Sequence, residues 1–180
     1  MTYQVSPPIE VCSSATTAAQ PAVLVQTTGL QRHDRSVTPF SSRTASGEPW
    51  SSSAFTGDRP TLVMFVKEHC DGCREFIAAA NDPNGAGLVD TERLIMVITD
   101  SDSSLCQQLR DASGTEAVLV GSEAAAALRV PGAPFFSLIS ASGEEVISEG
   151  VAFGIAQVRD HCRHGLAGMD PSVPRLSFDA

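Results

Sequence analysis

Two cysteines separated by two residues, Cys70 and Cys73, are the side chains whose types and spacing point most directly to chemistry. They follow Thr61 to Val66, an almost wholly apolar, β-prone run that is typical of a strand buried on both faces. They precede a helix-prone segment, Arg74 to Asn81. The pair is therefore predicted to lie between a strand and a helix, with Cys70 at the helix N-terminus and Cys73 one turn inside it.

A cysteine at a helix N-terminus can act as a nucleophile, because backbone N–H groups and the positive end of the helix dipole stabilise its thiolate. Cys70 would attack a substrate disulfide to form a mixed disulfide, and Cys73 would resolve it by closing an intramolecular disulfide. The same steps in reverse oxidise a dithiol, so the direction of exchange stays open. A protonated His69 would favour the thiolate, whereas the carboxylate of Asp71 would oppose it.

A C-x-x-C pair also supplies half of a tetrahedral zinc site, and a pair of inert buried cysteines is a further alternative. Zinc needs two more ligands, but the sequence has no second C-x-x-C and no H-x-x-x-H. The other candidate ligands are scattered or far from the pair along the chain: Cys106, His161, Cys162 and His164. We therefore favour redox chemistry, with the cysteine pair as the redox group and no metal or other cofactor.

The remaining cysteines are assigned other roles, because an odd total of five cannot pair completely within one chain. Cys106 lies between Leu105 and Leu109 in a predicted helix, where core packing is favoured over a role as a third redox cysteine. Cys162 falls on the apolar face of the last predicted helix. Cys12 lies in a predicted tail, where an exposed thiol would be open to oxidation.

Composition and charge exclude several classes of partner. The chain has 180 residues, which suits one domain, and a formal net charge of −9, which argues against binding to nucleic acid or to anionic membranes. No apolar run is long enough to span a bilayer. The first ten residues lack the pattern of a signal peptide, so a cytoplasmic location is expected, with membrane association only through a partner.

Around the motif, the sequence alternates between strands and helices within residues 36–168. Residues 1–35 and 169–180 are predicted to be tails, since the first of these segments is poor in large apolar groups. A hairpin with its turn at Ser46-Gly47 precedes the main domain, where Trp50 and Phe55 should cover the edge of the core. Further strands are predicted at Leu94–Thr99, Ala117–Val120, Phe135–Ser140 and Glu145–Ser148, the last two joined across Ala141-Ser142-Gly143.

Three more helices are predicted at Leu105–Asp111, Glu123–Arg129 and Phe153–His164. Ser122 can cap the second of these, and Gly165 marks the end of the third. The order of strands and helices favours a three-layer α/β domain, with a mixed central sheet, helices on both of its faces and the hairpin as an N-terminal extension.

These features resemble the thioredoxin superfamily, and most closely the TlpA/ResA-type disulfide reductases and the MauD-type accessory proteins. The resemblance is carried by the apolar strand that runs into Cys70-Asp71-Gly72-Cys73 and by Val130-Pro131-Gly132-Ala133-Pro134 before a later strand. It includes the hairpin region Pro39–Phe55, a Gly turn at Ser142-Gly143-Glu144 and Gly150, and it covers about residues 36–168.

The resemblance implies a protein disulfide reductase in which Cys70 attacks and Cys73 resolves. It implies that Pro134 is a cis-proline facing the pair and that Ala133 offers its backbone to an extended substrate segment. Partners would be a protein thiol or disulfide and an electron donor or acceptor protein.

The sequence also departs from the pattern of the superfamily. Met64 stands where thioredoxins keep a buried Asp, His69 replaces the common Trp, and Gly72 replaces a frequent Pro. Asp71 stands where ResA-type proteins carry Glu and could handle the proton in place of the missing Asp. These differences favour a dedicated partner over a general thioredoxin substrate.

Two alternative functions share this fold. One is a MauD-like accessory factor that matures a single client enzyme. The other is a peroxiredoxin-like peroxidase, for which Lys67 occupies the position of the family's Thr.

Overall fold

The structure is a computed structural model that describes residues 35–83, 87–90, 92–100 and 104–168. Its strands are β1 Arg35–Ser36, β2 Ser41–Thr44, β3 Pro49–Ser51, β4 Thr61–Val66, β5 Arg93–Ile98, β6 Ala117–Val120, β7 Phe135–Ile139 and β8 Glu145–Val151. Its α-helices are α1 Arg74–Ala80, α2 Ser104–Leu109, α3 Glu123–Ala127 and α4 Ile155–Ala167. Short 3-10 helices cover Ser52–Phe55 and Asp71–Cys73.

A single sheet joins the eight strands in the order β1-β8-β7-β4-β5-β6-β2-β3. Strand β4 lies inside it, parallel to β5 on one side and antiparallel to β7 on the other. All six residues of β4 are buried, which explains its continuous apolar sequence. The predicted bounds of β4 and β6 are confirmed.

Both faces of the sheet are covered, because alternate residues of each central strand point to opposite sides. Leu62 and Met64 pack into the cluster that also holds the buried residues of α1, α2 and α4. Val63 and Phe65 pack into the opposite cluster, with buried residues of α3. The predicted three-layer α/β fold with a mixed sheet is therefore confirmed.

The predicted N-terminal hairpin forms from β2 and β3, with Gly47 in its turn at a φ of 89°. Strand β2 also pairs with β6, so the hairpin extends the main sheet. Behind it, the Phe55 ring lies 6.0 Å from that of Phe40 and 5.2 Å from that of Trp50, centroid to centroid. Phe55 is fully buried, which confirms that this aromatic group covers the edge of the core.

Two predictions about helix ends are wrong. Ser122 does occupy the N-cap position of α3, but its side chain makes no capping hydrogen bond, because Ser122 has helical backbone angles instead of the extended ones that favour such a bond. Helix α4 does not end near Gly165 but continues to Ala167. A Cβ at position 165 would lie 3.0 Å from Ile147 Cγ2 and 3.2 Å from Ser148 Cβ. Glycine at this position allows α4 to pack closely on β8.

The predicted tails, with Cys12, lie outside the described residues, except that Arg35 belongs to β1 and pairs with Val146. Arg35 also donates hydrogen bonds to the Glu149 carboxylate and to the Leu128 carbonyl. Arg35, which was assigned to the N-terminal tail, is therefore part of the sheet. Of the helices that the structure describes, none is both long and apolar enough to cross a membrane.

Candidate active site

The C-x-x-C motif lies at the carboxyl end of β4. His69 has a φ of 56°, and Cys70 has extended backbone angles directly before the 3-10 helix Asp71–Cys73. The Cys73 N–H donates to the Cys70 carbonyl over 3.0 Å, and α1 follows from Arg74. Cys70 therefore precedes the helical segment as predicted, whereas Cys73 lies at the N-cap position of α1 and not one turn inside it.

The two cysteines form a disulfide with their Cα atoms 5.3 Å apart. They differ in exposure: Cys73 is completely buried within the apolar cluster under α1, whereas Cys70 is half-buried at its edge. An incoming molecule can therefore reach Cys70 more readily than Cys73, which the core covers.

Pro134 lies against the motif, although the two are distant in sequence. The Ala133–Pro134 peptide bond is cis, as the resemblance implies. A Cβ at Gly72 would stand 3.3 Å from Pro134 Cγ and 3.6 Å from its Cδ. Because Gly72 has no side chain, the proline ring can approach the cysteine turn closely. Ala133, half-buried, immediately precedes this contact.

Three other residues singled out near the motif have distinct surroundings. Asp71 forms an ion pair with Arg74, with Oδ1 and Nη2 2.7 Å apart, and both side chains are largely exposed. The side chain of His69 is exposed. Met64 is completely buried in β4, in register with Met96 on one side and Phe136 on the other.

The other described cysteines, Cys106 and Cys162, belong to the core, as predicted. The Cys106 thiol lies 3.6 Å from the Asp100 carbonyl. Burial raises the pKa of the Cys162 thiol to about 12, with a smaller contribution from the carboxylates of Glu92 and Asp90. A thiol with so high a pKa stays protonated at neutral pH, so it is a poor nucleophile.

The two histidines of α4 have separate surroundings. His164 Nδ1 lies 2.7 Å from the Asp160 carbonyl one turn earlier, and the His161 ring packs against Phe136 with centroids 5.5 Å apart. Within the described ranges, no three His, Cys, Asp or Glu side chains are grouped as metal ligands would be.

Sequence reasoning missed two features beside the motif. The Glu68 carboxylate accepts hydrogen bonds from the backbone N–H of Ser104, over 3.2 Å, and from its hydroxyl, so it holds the loop before Cys70 against the start of α2. Val151 and Phe153 are exposed at the end of β8, next to Pro134. The only sequence signal for the second feature is the aromatic side chain of Phe153 next to Gly154; Phe153 was predicted to begin the last helix, which in the structure begins at Ile155.

No protein-family model matches the sequence, and no curated protein matches it. Solved structures do resemble the fold. A putative thiol:disulfide interchange protein DsbE from Chlorobium tepidum is 18% identical with a TM-score of 0.58, covering 77% of this chain and 97% of its own.

Two proteins of Mycobacterium tuberculosis are also similar. Peroxidoxin BcpB is 14% identical with a TM-score of 0.58, covering 77% of this chain and 97% of its own. A secreted disulfide oxidoreductase homologous to DsbE of E. coli is 18% identical with a TM-score of 0.53, covering 69% of this chain and 95% of its own. At such low sequence identity, the structural similarity establishes the fold alone. The chain has the thioredoxin fold.

Proposed function

We propose that the chain is a thiol-disulfide oxidoreductase that exchanges disulfides with a protein through Cys70 and Cys73. The observation that carries this proposal is the unequal exposure of one disulfide, with Cys70 half-buried and Cys73 completely buried beneath it. Two structurally similar proteins are described as acting on disulfides, which supports the same chemistry.

In the reducing direction, the protein starts with both cysteines as thiols. The Cys70 thiolate attacks one sulfur of the substrate disulfide, forms a mixed disulfide and releases the other sulfur as a thiolate that takes up a proton. Cys73 then loses its proton and attacks the Cys70 sulfur, which releases the second substrate thiol and closes the Cys70–Cys73 disulfide. Two electrons and two protons pass to the substrate, and a donor protein must return them before the next cycle.

The substrate segment is proposed to run along Ala133 and Pro134. Ala133 immediately precedes the proline that contacts Gly72, so a chain extended along its backbone passes beside the cysteine turn. The chain has a formal net charge of −9, and Lys67 is its one lysine. Recognition should therefore rest on backbone pairing and apolar contact rather than on a cationic surface.

Reduction of insulin disulfides by the protein, driven by dithiothreitol, tests this proposal. Wild type should accelerate the reaction over dithiothreitol alone, and Cys70→Ser should lose the acceleration because the nucleophile is absent. Cys12→Ser, which removes a thiol outside the motif, is the matched control and should retain it. Equal rates for wild type and Cys70→Ser would refute the proposal.

A peroxidase reaction is tested separately, since the fold also resembles that of peroxidoxin BcpB. Purified reduced protein is mixed with hydrogen peroxide, and peroxide loss is followed over time. Slow loss, comparable to that caused by a small thiol, supports disulfide exchange. Rapid loss that requires Cys70 would favour the peroxidase.

Dedication to a single client, as in the MauD-type proteins, is proposed as the more specialised form of this activity. Cys73→Ser should retain the mixed disulfide with its substrate, because the resolving thiol is missing. In cells, one dominant trapped protein supports the dedicated role, whereas a broad set of trapped proteins indicates a general reductase.

The reduction potential of the pair decides the direction of exchange. A value near that of thioredoxin, about −270 mV, indicates a reductant, and a value near about −120 mV indicates an oxidant. Equilibration of the protein with glutathione redox buffers measures it.

The cytoplasmic location expected from the N-terminal sequence stays a prediction, and one similar protein is described as secreted. Fractionation of the native host measures the location directly. Recovery of the protein with a cytoplasmic marker supports the prediction, and recovery outside the cytoplasm overturns it.

A further inference from the structure

Phe153 is the most exposed large apolar side chain among the residues that the structure describes. Its side chain is 83% exposed, and Val151, two residues earlier, is 44% exposed. Exposed aromatic side chains are enriched at sites that bind other proteins, because they bury a large area for little loss of conformational freedom. The exposed ring of Phe153 is therefore a candidate contact for a protein substrate, provided that it lies near the disulfide.

The segment Val151–Phe153 lies beside Pro134, along which the substrate segment is proposed to run. Val151 is paired with Phe135, and the Ala152 N–H donates to the Pro134 carbonyl over 3.1 Å. Phe153 directly follows the residue that makes this hydrogen bond to Pro134. Pro134 therefore has the cysteine turn on one side, through Gly72, and the apolar segment on the other.

Gln157 of α4 fixes this segment in place. Its side-chain oxygen accepts a hydrogen bond from the Phe153 N–H over 2.9 Å, and its amide nitrogen donates to the Val151 carbonyl over 3.1 Å. Both backbone groups are satisfied while the Phe153 ring projects into solvent. A ring held in this way loses little further freedom when a partner covers it.

A carboxylate borders the same segment. Glu75, in the first turn of α1, has its Oε1 atom 3.3 Å from the place where a Cβ on Gly154 would stand. The apolar segment thus has a carboxylate next to Gly154, the residue that directly follows Phe153. An occupant with a large apolar residue and a nearby lysine or arginine complements both.

We propose that Phe153 anchors the client: it selects extended polypeptide segments that carry a large apolar side chain and a basic residue close to the reacting cysteine. Side chains two residues apart in an extended segment point to the same side, so an apolar residue near the cysteine can reach Phe153 while the cysteine meets Cys70. This inference rests on the disulfide exchange proposed above and adds the class of substrate.

Single-turnover exchange with short peptides tests the proposal. Each peptide carries one cysteine as a mixed disulfide with thionitrobenzoate, whose release is read by its absorbance. The first peptide has Leu and Phe on either side of the cysteine, the second has Ser and Gly at those positions, and the third adds Lys to the first. The reduced protein supplies the two electrons, and it ends as the Cys70–Cys73 disulfide.

Phe153→Ser should lower the rate constant for the apolar peptide about tenfold and change that for the Ser/Gly peptide less than about twofold. Phe153→Leu should retain most of the apolar preference. Gln157→Ala, which removes both hydrogen bonds at a half-buried position, should reduce the preference in part. Equal effects of Phe153→Ser on both peptides, or no effect on either, would overturn the proposed selection of apolar substrates by Phe153.

The charge component is tested with Glu75→Gln, which should slow the lysine peptide about threefold at low salt and leave the neutral apolar peptide unchanged. Glu145→Gln, at the opposite end of β8, is the matched control and should change neither rate. Loss of the lysine preference in both variants would overturn the role of Glu75.

The same peptides distinguish a failure of the proposed selectivity of Phe153 from a failure of the proposed disulfide exchange. A wild type that releases thionitrobenzoate from none of the peptides refutes the exchange reaction itself. A wild type that reacts with the Ser/Gly and apolar peptides at equal rates has the reaction but not the proposed selectivity.

Discussion

The carboxyl end of β4 and the buried face of α4 each hold cysteine, and they give its sulfur opposite properties. At the end of β4, Cys70 is half-buried next to a solvent-exposed turn and is joined to Cys73. On α4, Cys162 is buried against the sheet, and its pKa is raised to about 12 by that burial. The comparison shows that location, and not residue type, decides which thiol can react.

Alkylation should show the largest difference between the two regions. In the reduced native protein, iodoacetamide should modify Cys70 at least about a thousandfold faster than Cys162, because at about pH 8 only about one Cys162 thiol in 10⁴ is ionised and the side chain is also shielded. Peptide mass spectrometry after timed quenching measures both rates. Comparable labelling of the two residues in the folded protein would contradict the low reactivity that burial on α4 gives to Cys162.

The stability of the protein should depend on pH through Cys162. Its pKa of about 12 in the folded protein is higher than the ordinary thiol value of 9.0, so between these limits the unfolded chain releases a proton that the folded chain retains. The free energy of unfolding should therefore fall as pH rises above about 9, by as much as about 1.4 kcal/mol per pH unit from this group.

Urea unfolding of the oxidised protein and of Cys162→Ala, at a series of pH values, measures this contribution. Cys70 and Cys73 do not titrate in the disulfide form. The wild type should lose more stability than the variant across the alkaline range. Parallel pH profiles for the two proteins would show that Cys162 does not contribute.

Alanine substitutions at two glycines should affect different properties: one should lower the stability of the fold, and the other should slow disulfide exchange. Gly165→Ala should destabilise the fold by about 1 kcal/mol, because its Cβ would press on Ile147 and Ser148 by more than the helix gains from alanine. Gly72→Ala should change stability little but slow peptide exchange several-fold, because its Cβ would displace Pro134.

Urea unfolding and peptide exchange, measured on both variants, check this division. Gly132→Ala is the control, since a Cβ there has no atom within 4 Å. A slower exchange in Gly165→Ala than in Gly72→Ala, with both proteins folded, would reverse the proposed assignment.

The smallest effect is expected at the exposed ion pair beside the motif. Asp71→Asn should change the free energy of unfolding by less than about 0.5 kcal/mol, because Asp71 and Arg74 are both largely exposed and water screens their attraction. Urea unfolding measures the change. A loss well above this value would mean that the pair organises the cysteine turn.

The elements that position the site could be predicted where local sequence determines them. Thr61–Val66 was predicted with its observed bounds, because a run that is apolar at every position suits a strand covered on both faces. Ser122 and Gly165 misled the prediction of helix ends, since neither residue type reveals the backbone angles or the neighbouring strand that decide its role.

The contacts of the site depend on distant parts of the chain. No local pattern places Pro134 against Gly72; the family resemblance predicted that Pro134 faces the cysteine pair. Phe153 was predicted as the first residue of a helix, whereas α4 begins at Ile155 and leaves Phe153 in an extended segment beside Pro134. The hydrogen bond from Ala152 to Pro134 that sets this position joins residues 18 apart in sequence, which no local pattern pairs.

The most direct test of the central claim is to find which cysteine takes up a substrate. Reduced Cys70→Ser and Cys73→Ser are each incubated with the apolar peptide disulfide, and the adducts are located by mass spectrometry. We predict rapid formation of a mixed disulfide on Cys70 in the Cys73→Ser variant, and no adduct on Cys73 in the Cys70→Ser variant over the same time. Equally rapid modification of Cys73 would contradict the assignment of Cys70 as the attacking residue.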